Sequence, residues 1–325
     1  MHALVQQQFG DPATVLQYEE VDTPEPGPGQ ARVRLLLSPI HNHDLWTVSG
    51  NYGFKPDMPA LAGTEAVGVV DAVGEDVDNL EVGQRVASAG AFGVWAEYFL
   101  ADAKALIPVA DEIPDEAASQ LVSMPFSAIS LLDSLDLNEG DWLIQNAANG
   151  AVGRLVAQLA KGRGINVVGL VRRAEGVQEL ADQGIGRVIA TDAEGWKEAV
   201  AEITGGAPIR VGVEQVGGQA AGDMLDLLGE NSTLVIFGAM ASPELNLRSG
   251  QIIFKQATVR GFWGSRVSAT MAPEDRARLM GELFARLADG TITLPVEATF
   301  SLSQIADAVA AHFTPGRAGK VLLKP

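Results

Sequence analysis

The sequence predicts an α/β chain of two domains, one built on a doubly wound parallel sheet and the other mostly of short β-strands. Three observations carry that prediction. Residues 141–173, DWLIQNAANGAVGRLVAQLAKGRGINVVGLVRR, read as strand, glycine-containing turn, helix and strand, a βαβ unit in about thirty residues. From Asp115 onward, helical stretches alternate with short apolar runs, as in a parallel sheet covered on both faces. Before that point helical periodicity is scarce, and short apolar segments are separated by Gly, Pro and Asp clusters, the texture of a small irregular β domain.

Taken in order, Val33–Leu37, Glu65–Val73, Gln84–Ala87 and Trp95–Leu100 are the expected strands of the first domain. Asp22–Gln30 (DTPEPGPGQ) lies between two apolar segments and is expected as a turn region within that domain. The alternating part places helices at Glu116–Leu132, Ala151–Lys161, Gly176–Asp182, Lys197–Thr204 and Ala220–Leu228. Its strands are Trp142–Gln145, Asn166–Val171, Val188–Ala190, Val211–Gln215 and Thr233–Phe237. After Thr258–Trp263 come a helix at Pro273–Asp289, a strand at Thr291–Ala298, a helix at Leu302–Ala311 and a last strand at Lys320–Lys324. This tail reads as a return to the first domain. The expected division is residues 1–122 with 265–325, and residues 123–264 for the parallel-sheet domain.

The turn of the βαβ unit carries chemistry. Ala148-Asn149-Gly150-Ala151-Val152-Gly153 is a dinucleotide fingerprint with alanine at its first glycine. Gly150 would let the backbone approach a pyrophosphate, and Gly153 would let the helix pack close to the strand. The anion would then sit on the helix N-terminus, where free N–H groups and the dipole favour negative charge. The end of the second strand reads the ribose. A carboxylate there holds the 2′-hydroxyl of NAD, but here the strand runs into Arg172 and Arg173, with no carboxylate before Glu175. Two guanidiniums suit a phosphate monoester through forked, charge-assisted bonds, so the expected cofactor is NADPH. Two further strand ends, Gln215–Gly218 and Phe237-Gly238-Ala239-Met240, run into glycine. They are either ordinary turns or small-residue ends that admit a flat ring.

Composition narrows the classes. With 325 residues, 47% of them apolar, the chain is long enough for two cores. It has no cysteine, which rules out disulfides, thiolate metal ligands and a cysteine nucleophile, and is compatible with a reducing compartment. A formal net charge of −18 argues against general nucleic-acid binding, which rests on neutralising phosphates. The opening MHALVQQQFG lacks the basic and apolar regions of a secretory leader, and no apolar run is long enough to span a bilayer. The expectation is a cytoplasmic protein with a small-molecule substrate.

Several stretches together give the chain a family likeness: Ser38–Gly53 (SPIHNHDLWTVSGNYG), Trp142–Arg154 with its QNAANGAVGR, Gly238-Ala239-Met240, and Ile253–Ser265 (IFKQATVRGFWGS). Along essentially its full length the chain resembles the zinc-free medium-chain dehydrogenase/reductases. It is most similar to the mitochondrial-type enoyl thioester reductases, with the NADPH:quinone oxidoreductases next. The resemblance implies a GroES-like, mostly β catalytic domain built from both ends of the chain and a Rossmann NADPH-binding domain, in a protein that is often a homodimer. It implies that Asn149, Gly150, Ala151, Val152 and Gly153 meet the pyrophosphate and that Arg172 and Arg173 meet the 2′-phosphate. Phe237, Gly238, Ala239, Met240, Phe262, Trp263, Gly264 and Ser265 would border the nicotinamide, and Lys320 would be a cofactor-contacting lysine.

In zinc-dependent relatives the catalytic metal is held at places matching His41, Thr64 and Met124, of which only the histidine is a good zinc ligand. No metal is therefore expected. His41 and His43 flank Asn42 in the segment implied to line the substrate side. Histidine shuttles protons near neutrality, although isolated histidines also serve as structural hydrogen-bonders. Tyr52, in Gly50-Asn51-Tyr52-Gly53, matches the segment bearing the catalytic tyrosine of the enoyl thioester reductases. A phenol, whose ordinary pKa is near ~10, stays protonated at neutral pH and can donate to an oxygen that gains charge. Trp95 is either a wall of the acyl pocket or core. The functions that follow are reduction of an activated C=C bond, in a 2-enoyl thioester or an enone, or else quinone reduction. A third possibility is a non-enzymatic NADPH-binding protein related to crystallins.

Overall fold

Six parallel strands, Trp142–Gln145, Asn166–Val171, Val188–Ala190, Ile209–Glu214, Thr233–Ile236 and Thr258–Gly261, form one sheet of the protein. In the computed structural model, which describes residues 1–325, they lie side by side in the order third, second, first, fourth, fifth, sixth, each pair parallel. The chain direction across the sheet reverses between the first and fourth strands, and ligands of such sheets bind outside the carboxyl ends at that point. Both faces are covered, as the apolar runs require. Ile144, Val168, Leu170, Ile209 and Leu234 are buried against Val200, Met224 and Leu225 from the helices.

The expected strands of this sheet begin and end within two residues of their observed limits, and so do four of its five crossover helices: Ala151–Gly162, Ala174–Asp182, Trp196–Thr204 and Gln219–Leu227; the fifth, Ser249–Lys255, was not expected. The expected helix Glu116–Leu132 is instead two helices, Asp115–Ala118 and Met124–Asp133. Between them the amides of Val122 and Ser123 leave the helical ladder and donate to Glu65 Oε1, at 2.8 and 2.6 Å.

The two units divide as Met1–Met124 with Leu294–Pro325, and Pro125–Thr293. The return to the first domain thus comes at Leu294, not at 265 as expected. Helix Pro273–Ala288 belongs to the sheet unit, where Leu279 and Leu283 are fully buried. Arg163 Nη2 binds Glu282 Oε2 at 2.8 Å, and Arg278 Nη2 binds Asp133 Oδ2 at 2.8 Å. An amphipathic helix reads the same whichever surface it covers, so its pattern could not place it.

In the first unit Gln30–Pro39 is central. It pairs antiparallel with Glu65–Val73, Tyr98–Asp102 and, through Leu322 and Leu323, the last strand Lys320–Lys324. Arg85–Ala89 and Ile107–Pro108 extend the sheet on one side and Val296–Ser301 on the other. A separate three-stranded sheet orders Leu16–Glu20, His2–Gln6 and Ala60–Leu61. Its first two strands were not expected from the pattern, nor was the helix Asn42–Val48. The expected strand Thr291–Ala298 starts later, at Val296, just after Pro295. Trp95 belongs to the core: it is fully buried, donates to Ser38 Oγ at 3.0 Å, and covers Gly63, where a Cβ would come within 2.3 Å of the indole. No helix is long and apolar enough to cross a membrane.

Candidate active site

The dinucleotide turn is built on the first strand of the parallel sheet. Strand Trp142–Gln145 ends at Gln145, and helix Ala151–Gly162 starts after Gly150, whose backbone caps it with no side-chain bond. The first-turn amides of a twelve-residue helix are thus left to an external acceptor. Gly153 is held against the turn. A Cβ there would lie 2.7 Å from Ala147 O and 2.8 Å from Ala148 Cα, so the helix seats on the strand only because the side chain is absent. Gly150 has more room, its nearest contact being Ala147 O at 3.1 Å. Ala148, at the place of the first glycine, is buried and its amide donates to Leu170 O at 3.1 Å. These are the close approaches that a pyrophosphate-binding turn requires.

Arg172 and Arg173 follow directly on strand Asn166–Val171, and both are exposed. Arg173 Nε stands 3.9 Å from Glu175 Oε2, both side chains more than half in solvent, a loose pair that costs little to exchange for a phosphate. At the carboxyl ends of the fifth and sixth strands, Phe237 and Phe262 stack with ring centroids 5.8 Å apart. Phe262 is buried, whereas Met240 and Trp263 are half exposed. Gly264 begins helix Gly264–Thr270 and has no space for a Cβ, which would meet Ser127 Oγ at 2.4 Å.

Sequence reasoning passed over a buried hub at the point where the strand order reverses. Glu214 is wholly buried, and its Oε1 accepts from Asn146 Nδ2, Val216 N and Gly217 N, each at 2.8 Å. Asn146 Oδ1 in turn accepts from Gln215 N at 2.7 Å. One carboxylate oxygen thereby shapes two strand-end turns. The available signal was an isolated carboxylate inside an apolar strand, Val211-Gly212-Val213-Glu214.

The first unit holds the other candidates. Helix Asn42–Val48 is capped by Asp44, whose Oδ2 accepts from His41 N at 2.9 Å. His41 is 1% exposed and lies between two ionisable groups: its Nε2 is 2.6 Å from Glu65 Oε2 and its Nδ1 is 2.9 Å from Lys320 Nζ. An ammonium only donates, so Nδ1 accepts from Lys320 and Nε2 carries the hydrogen towards Glu65. Burial, followed by the charge on Lys320, holds the His41 pKa well below the imidazole range. Burial pushes the Glu65 pKa upward, against the pull of the Ser123 and Val122 amides that hold it as a carboxylate, and pushes Lys320 down to about 8. Strand pairing sets this cluster: Leu322 opposite Pro39 brings Lys320, from the far end of the chain, to Ile40 and His41.

His43 differs from His41. It is partly exposed, stacks on His41 at 4.9 Å, and lies 5.8 Å from the Tyr52 ring. Its Nε2 is 2.8 Å from Thr64 Oγ1, which donates to Asp44 Oδ1 at 2.6 Å. Burial lowers its pKa, partly offset by Asp44. The structure therefore brings Tyr52, His43, His41 and Lys320 into one neighbourhood, together with Asp44, Thr64 and Glu65, which sequence reasoning did not single out as site residues. Glu65 had the same signal as Glu214, a lone carboxylate opening an apolar strand.

Comparison with known proteins adds to this geometry. Residues 151–282 match the family described as "Zinc-binding dehydrogenase", and residues 27–111 match "Alcohol dehydrogenase GroES-like domain". The human mitochondrial enoyl-[acyl-carrier-protein] reductase is 32% identical over 330 residues, covering 99% of this chain and 88% of the relative. Among solved structures, Escherichia coli quinone oxidoreductase complexed with NADPH superposes with a TM-score of 0.91 at 26% identity, covering all of both chains. A quinone reductase structure from Bacillus thuringiensis gives 0.92 at 25% identity, over 100% of this chain and 98% of that one.

Proposed function

We propose that this chain, which belongs to the medium-chain dehydrogenase/reductase family, is an NADPH-dependent reductase of an activated C=C bond in a 2-enoyl thioester or enone. The observation that carries this reading is the near full-length likeness to enoyl-[acyl-carrier-protein] reductases. NADPH supplies the hydride. The turn Asn149–Gly153 and the helix behind it bind the pyrophosphate, and Arg172 with Arg173 binds the 2′-phosphate by charge-assisted bonds. Phe237–Met240 and Phe262–Ser265 border the nicotinamide. Tyr52 donates to the carbonyl oxygen as hydride arrival at Cβ makes an enolate, an interaction worth a few kcal/mol in the transition state. Lys320 Nζ already serves His41 and Ile40 O, which supports a structural role and makes its expected contact with the cofactor indirect.

The reading is metal-free. Zinc needs an open lone pair at each of its ligand places, yet His41 offers neither nitrogen, Thr64 Oγ1 serves His43 and Asp44, and an ammonium stands beside the imidazole. The protein is read as cytoplasmic and as a homodimer. Thr258–Gly261 is an edge strand, preceded by Ile253 and Phe254, which are 64% and 82% exposed; such an edge favours pairing with a second copy.

Quinone reduction is the second reading, favoured by the overlay on two quinone reductase structures. Oxidation of NADPH with crotonyl-CoA, set against a small benzoquinone, separates the two. Tyr52→Phe is expected to lose most turnover on the enoyl-CoA with NADPH affinity nearly unchanged; full turnover in that variant would remove Tyr52 from the mechanism.

A further inference from the structure

The two neighbouring histidines are wired differently, and the difference assigns them different work. Thr64 has one hydroxyl proton, and it goes to Asp44 Oδ1 at 2.6 Å. Asp44, almost fully buried, uses its other oxygen to accept His41 N. Thr64 Oγ1 is then left as an acceptor towards His43, 2.8 Å away, and only a ring N–H can fill that place. His43 is thus held with its hydrogen on Nε2 and its lone pair on Nδ1. His41 is also an Nε2–H tautomer, but its lone pair is consumed by Lys320.

We propose that Thr64 and Asp44 are positioning residues that lock the tautomer of His43, so that the imidazole beside Tyr52 presents an acceptor nitrogen to the reacting site. This rests on the reductase reading. A water that donates one hydrogen to Nδ1 keeps its second for the α-carbon. Hydride adds to Cβ, the water proton goes to Cα, and the hydroxide left behind is neutralised by solvent. Tyr52 supplies the donor of the site and His43 the acceptor. The opposite tautomer would turn an N–H towards that water and misorient it. A carboxylate fixing the tautomer of a catalytic histidine is a known device of serine proteases; here a threonine hydroxyl stands between the two.

The test is Asp44→Asn. An asparagine that keeps its oxygen on His41 N turns its NH₂ towards Thr64, reverses the hydroxyl, and moves the His43 hydrogen to Nδ1. Long-range ¹H–¹⁵N spectra of histidine-labelled protein report the tautomer directly among four histidines, and His43→Gln assigns the signal. The wild type is expected to show Nε2–H and Asp44→Asn Nδ1–H, with kcat on crotonyl-CoA down about tenfold or more and KM for NADPH little changed. Thr64→Val is expected to mix the tautomers and lower kcat similarly, while Thr64→Ser keeps both at wild-type values. An Nδ1–H wild type, an unchanged tautomer in Asp44→Asn, or a reversed tautomer with full kcat each overturns the proposal. The spectra need no substrate, so absence of enoyl reduction would sink the reductase reading while the tautomer lock is still judged by itself.

Discussion

Substituting Gly153 probes the cradle where helix and strand meet. In Gly153→Ala the new methyl starts 2.7 Å from Ala147 O and 2.8 Å from both Ala148 Cα and Ala148 O. All three atoms are backbone, so no side chain can rotate away. Reaching an ordinary contact near 3.4 Å requires the helix to shift by about 0.7 Å, and overpacking of this kind costs about 1–3 kcal/mol. The same shift would displace the first-turn amides of Ala151 and Val152, proposed to meet the pyrophosphate, so NADPH affinity should fall along with stability. Thermal unfolding without ligand and a fluorescence titration with NADPH measure the two effects. Gly186→Ala is the control, since nothing lies within 4 Å of its added Cβ. If Gly153→Ala unfolds with Gly186→Ala and binds NADPH as tightly, the close approach is not what builds this site.

Other outcomes follow from the same geometry. Replacing both Arg172 and Arg173 with alanine should erase most of the preference for NADPH over NADH, read from the ratio of kcat/KM for the two cofactors; an intact ratio would remove both residues from the 2′-phosphate site. Burial lowers the Lys320 pKa to about 8 in the folded protein from an ordinary 10.5, so burying the ammonium costs most below pH 8 and progressively less from there to 10.5, at no more than roughly 1.4 kcal/mol per pH unit. Relative to Lys320→Met, the wild type should therefore gain stability between pH 8 and 10 in denaturant titrations, and a constant difference would mean that the buried lysine keeps an ordinary pKa. Phe254→Ser should shift the protein towards monomer in sedimentation if the edge strand pairs two copies.

Much of the parallel sheet was legible from the chain alone because its strands are locally encoded. Runs such as Val167–Val171 carry no polar side chain because both faces of the sheet are covered, and glycines punctuate them. The first unit was less legible. His2–Gln6 and Leu16–Glu20 are short strands with mixed patterns, stabilised by each other and by Ala60–Leu61. The candidate cofactor residues could be named for the same reason as the sheet, since fingerprint and arginines fall within one βαβ unit. Tyr52 and the histidines could also be named but not given distinct roles, because nothing local separates His41 from His43.

The sequence by itself determined the strand–helix alternation, the glycine-containing turn between the first strand and its helix, the arginine pair that follows the second strand, and the absence of any thiolate ligand. Only the tertiary structure decided that Lys320 reaches His41, that Glu65 closes the other side of that ring, and that Thr64 and Asp44 hold His43. Those contacts join residues from 20 to 279 positions apart. They depend on which strands pair and in what register, and a one-residue slip of Lys320–Lys324 against Gln30–Pro39 would turn the lysine to the opposite face.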